Sequence, residues 1–71
     1  MNVVTVFAKS CATKRTRDRL REHGPEFHVQ QASGKPEFCS ALGCEAWLLS
    51  PTNVEDVWIG WLPAHEVEVC L

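Results

Sequence analysis

No stretch of this chain approaches the roughly 20 consecutive apolar residues that a helix needs to cross a bilayer, so no membrane-spanning helix is expected. Tyrosine is missing altogether, so any aromatic surface must be built from three Trp and three Phe. Glycine-rich phosphate loops are also missing, with only four Gly in the chain. His23, His28, His65 and the thiols form no recognisable nucleophile or metal motif, and an 8.0 kDa chain has little room for a water-excluding cavity. Neither enzymatic activity nor a cofactor is expected. Cys11, Cys39, Cys44 and Cys70 lack the paired spacing of zinc ribbons. The opening segment 1–8 is too short for a secretory signal and has no basic start, which points to a cytoplasmic protein with free thiols. A Cys39–Cys44 link across a tight hairpin stays open as the alternative, ahead of a metal site.

What is present describes a small globular domain. Seventy-one residues make one domain, and 45% hydrophobic content with 23% charge argues against disorder. Net charge is −2, which gives no global pull toward nucleic acid or anionic membrane. Its distribution is uneven. Lys14, Arg15, Arg17, Arg19 and Arg21 outweigh Asp18 and Glu22, leaving a local +3 against −5 elsewhere.

Alternation over 2–8 predicts a first strand, with Val4, Val6 and Ala8 on one face and Val3, Thr5 and Phe7 on the other. Thr13 is a suitable N-cap and Gly24-Pro25 a helix stop, so 14–23 should be helical. The apolar face of that helix is thin (Ala12, Thr16, Leu20, His23), and it should lie on the body pinned by Leu20. Further strands are expected over 26–30, with Phe27 and Val29 inward, and over 38–40, 44–49, 55–62 and 66–71. Turn residues separate them at 32–36, 41–43, 50–53 and 63–65. Such spacing is that of a small antiparallel barrel or sandwich.

The segment Gly60-Trp61-Leu62-Pro63-Ala64-His65-Glu66-Val67 resembles the Gly-Trp-Val-x-x-x-Tyr-Val ending of bacterial SH3 domains. It is also similar to the Gly-x-Phe-Pro-x-Asn-Tyr-Val ending of eukaryotic ones. Trp47 falls where such domains carry a strand tryptophan, and 20–25 is similar to their Val-Arg-x-Gly-Pro loop with one residue inserted. The better match covers 44–69. The resemblance implies a mainly β, SH3-like antiparallel barrel of about five strands over 1–71, with one short helix inserted after the first strand. Proline presets φ for the short turn before the last strand, and Val67 and Val69 close the barrel. One departure bears on function. The position of the groove tyrosine is Glu66, so the aromatic ladder that holds polyproline ligands is incomplete.

These readings converge on a small stand-alone protein-binding module, an adaptor or inhibitor. In size and architecture it resembles accessory proteins of phages and mobile elements. The residues expected to contact the partner are Trp58 with Arg15, Arg17, Arg19 and Arg21, and Trp47 with Pro63 as a secondary groove. Alternation puts Trp61 with Val57 and Ile59 in the core, leaving Trp58 outward unless the helix covers it. Trp47 is expected to be buried. His65 should hydrogen-bond the turn backbone. Two other classes remain: a nucleic-acid binder using 14–21, and a self-associating structural subunit.

Overall fold

The computed structural model describes residues 3–52 and 60–70. Among these residues, six strands, one α-helix and one 3₁₀ turn follow in the order β1 (Val3–Ala8), α1 (Lys14–His23), β2 (Glu26–Val29), β3 (Glu37–Cys39), β4 (Cys44–Pro51), β5 (Gly60–Pro63), the 3₁₀ turn Ala64–Glu66 and β6 (Val67–Cys70). The sheet is antiparallel throughout and curls into a half-barrel. The mainly β architecture with one inserted helix is therefore as expected. The strand expected over 55–62 is described only from Gly60 onward; its earlier part lies outside the described residues.

β4 organises the sheet. Ala46 pairs with both Glu37 of β3 and Pro63 of β5, and Leu49 with both Val29 of β2 and Gly60 of β5. Thus β2 and β3 lie end to end along one edge of β4, and β5 runs along the other. β1 joins through β2 (Val4 opposite Phe27), and β6 joins through β1 (Val6 opposite Val69). β4 continues two residues past the expected end at Leu49, because Ser50 and Pro51 still pair with His28 and Phe27.

Side chains alternate as the strand period requires. Val4 and Val6 of β1, Phe27 of β2, Leu49 of β4, Leu62 of β5 and Val67 of β6 form one buried cluster. Leu20, Val29, Trp47 and Val69 pack against it from its margins. Ala8, expected on the inner face of β1, is exposed.

Two glycines have a clear steric reason. A Cβ at Gly24 would lie 2.6 Å from the Leu20 carbonyl oxygen and 2.8 Å from the Phe27 ring, so only hydrogen fits between helix end and core. Gly43 closes the β3–β4 hairpin at φ +71°, a left-handed conformation that disfavours any Cβ. Its N–H donates to the Cys39 carbonyl at 2.8 Å.

Candidate functional site

α1 begins and ends where its flanking residues allow. The Thr13 hydroxyl accepts from the Thr16 N–H at 3.4 Å, and the Gly24 N–H donates to the Leu20 carbonyl at 2.8 Å. Its seating on the sheet differs from expectation. Leu20 is only partly buried, whereas Thr16 is fully buried. What holds the helix end is Glu66, 7% exposed, in the 3₁₀ turn. Its Oε1 accepts from the Thr13 N–H at 2.8 Å, the Thr13 hydroxyl at 3.0 Å and the Thr16 hydroxyl at 2.8 Å. The first turn of α1 has no acidic residue of its own, so a carboxylate from the far end of the chain meets the positive end of the helix dipole.

Burial alone would raise the Glu66 pKa. The hydrogen bonds from the Thr13 N–H, the Thr16 hydroxyl and the Thr13 hydroxyl, together with nearby His65, outweigh it and hold the carboxyl below its ordinary 4.5. Sequence reasoning missed this residue because a Glu opening a strand looks solvated, and its partners are 50 and 53 positions away. The one available signal was a carboxylate at the position of a groove tyrosine.

The arginines of α1 divide by partner. Arg17 donates to the carbonyls of Lys9, Ser10 and Ala12 at 3.1–3.2 Å and so fastens the loop that leads into the helix. Arg21 and Lys14 both pair with Asp18, and Arg19 reaches Glu22 at 3.4 Å. Exposed pairs of this kind add little stability. Asp18 is held below its ordinary 3.8, first by the hydrogen bond from Lys14, against an opposing effect of burial, and then by Arg21. Arg15 donates to the Trp61 carbonyl at 3.3 Å.

Trp61 itself requires a correction. It is half-buried, and Leu62 is the fully buried residue of β5. Since neighbours on a strand face opposite ways, Leu62 in the core turns Trp61 to the other face of β5, where it stands opposite half-buried Leu48 and beside the buried Ala46–Pro63 pair. Trp47 was expected to be buried; it is half-buried and packs against the core with Leu49 and Leu62. Pro63 is buried opposite Ala46, one register position out of phase with Trp47. The structure therefore places Trp47 and Pro63 on opposite faces and does not join them in one groove. Trp58 lies outside the described residues.

The His65 side chain is exposed, with Nε2 3.6 Å from Oε2 of Glu66, where a bond to the turn backbone was expected. The carbonyl of His65 accepts from the Cys11 thiol at 3.3 Å. All four cysteines are free thiols. Among the described residues, no group of three or more His, Cys, Asp or Glu is placed to hold a metal ion, and no helix is long and apolar enough to cross a membrane.

No protein-family model, no curated protein and no solved structure matches the chain.

Proposed function

We propose that this chain is a non-catalytic protein-binding module on an SH3-like half-barrel, which engages its partner through Trp61, Leu48 and Arg15. The SH3-like reading draws support from the strand order β6-β1-β2-β4-β5 and from the 3₁₀ turn that follows Pro63 between β5 and β6. The observation that carries the functional reading is the cross-strand pair of Trp61 and Leu48, half-buried on the face opposite Leu49 and Leu62, with Arg15 tethered to the Trp61 carbonyl. Trp and Arg are the residues most enriched where binding energy concentrates.

The same arrangement argues against a polyproline ligand. Glu66, at the position of the groove tyrosine, is buried and committed to Thr13 and Thr16. It also weakens the nucleic-acid reading, since Arg17, Arg19 and Arg21 already serve intramolecular bonds.

A pull-down from native host extract, repeated with nuclease and across a salt series, tests the proposal. A protein partner is retained after nuclease treatment. Its affinity should fall about 30-fold on Trp61→Ala, the effect of losing a hot spot of about 2 kcal/mol. A smaller loss is expected for Arg15→Ala. Affinity unmoved by either change rejects this surface. Binding abolished by nuclease, with steep salt dependence, replaces it with the nucleic-acid reading.

A further inference from the structure

Cys39 and Cys44 close the β3–β4 hairpin as directly opposed residues of an antiparallel pair. Residues so paired project to the same face of a sheet, with Cα atoms about 4.5–5.5 Å apart. A disulfide spans Cα separations of roughly 4.4–6.8 Å, so the ladder already supplies the required backbone geometry. The four-residue loop between them is fixed by the Leu42 and Gly43 N–H groups, which both donate to the Cys39 carbonyl. Both thiols are free, Cys44 half-buried and Cys39 only 6% exposed. Cys11 and Cys70 are exposed and lie elsewhere in the chain, in the loop between β1 and α1 and at the end of β6. With no third ligand beside them among the described residues, the two thiols do not make a tetrahedral metal site.

We propose that Cys39 and Cys44 are a dithiol modification site, closed into an intrachain disulfide by a small-molecule disulfide oxidant. The more accessible Cys44, as thiolate, attacks one sulfur of the oxidant and expels the other as a thiolate, leaving a mixed disulfide. The Cys39 thiolate then attacks Sγ of Cys44 and expels the second half of the oxidant. The protein loses two protons and two electrons, and the oxidant leaves as two thiols. The buried partner resolves each adduct, so no mixed disulfide persists at the hairpin.

Intact-mass spectrometry of the Cys11→Ser/Cys70→Ser chain, treated with oxidised glutathione under native conditions, tests this. The expected product is lighter by two hydrogens and carries no glutathione. Adding Cys39→Ser should leave one glutathionyl group on Cys44. Adding Cys44→Ser instead should leave Cys39 unmodified in the folded chain and modified in urea. A stable glutathione adduct on Cys44 with Cys39 still open to alkylation overturns the proposal. So does a chain that keeps both thiols while Cys11 of the unaltered protein becomes fully modified. If either added serine prevents folding, the chain that retains both cysteines decides the matter alone.

Discussion

The two sides of this small molecule are held by different physics. The sheet is closed around Phe27, Leu49 and Leu62, fully buried apolar side chains with no polar obligation. The helix side is closed by a buried carboxylate that accepts three hydrogen bonds from the helix start. The first kind of contact is non-directional and tolerates small shifts. The second requires each donor to be in place and leaves unsatisfied groups when it opens. A chain with too few apolar residues to seat its helix by packing can still seat it by geometry.

The largest expected effect attacks the sheet. Phe27→Ala should cost about 3–5 kcal/mol, measured by urea unfolding, because it removes a large ring from the centre of the cluster. In a domain this small such a loss leaves little or no folded protein.

Next in size is the helix side. Glu66→Gln should cost about 1.5–3 kcal/mol, since hydrogen bonds to a charged acceptor are stronger than neutral ones. The same variant tests the acid response. A carboxyl held below 4.5 in the folded state stabilises the fold fully above that value, and the contribution is lost as pH falls through the folded pKa. Unfolding midpoints taken below pH 4.5 should therefore drop less steeply for Glu66→Gln than for the parent. Asp18 titrates in the same direction, but its pairs are exposed and salt screens them. A slope that disappears in high salt would transfer the effect from Glu66 to Asp18.

Much of this was legible beforehand, and the boundary follows a physical line. Thr13 and Gly24-Pro25 marked α1 correctly because caps and stops are local. The alternation of Val4 with Val6, and the presence of Phe27, marked the inner face because strand period is local too. Glu66 was not legible, since its partners approach only after the sheet has closed. Trp61 was assigned to the wrong face for a related reason: parity carried forward from Val57 and Ile59 gave way to Leu62, which fills the core. The end of β4 was placed two residues short because proline usually ends a strand, yet Pro51 still pairs with Phe27.

A third substitution probes the seam between the two regions. Gly24→Ala pushes a methyl group against the Leu20 carbonyl and the Phe27 ring, and should cost about 1–3 kcal/mol as an overpacking defect. A cost near zero would mean that helix and core yield to one another, and that the two sides are less distinct than the contacts imply. The smallest effect belongs to Lys14→Ala, whose highly exposed ammonium pairs with Asp18. No change in unfolding midpoint is expected, because exposed pairs of this type contribute little.

β4 is hydrogen-bonded along both margins, to β2 and β3 on one side and β5 on the other, while β6 hangs from β1 alone among the described residues. Fraying that begins at β6 can spread to β1 without disturbing the three-way junction, but loosening β4 releases β2, β3 and β5 together. Amide exchange should accordingly be fastest along β6 and slowest around Ala46 and Leu49, each of which pairs with a strand on both sides. The proposed Trp61–Leu48 contact surface rests on that slow segment, so a partner docking there meets the least yielding part of the molecule.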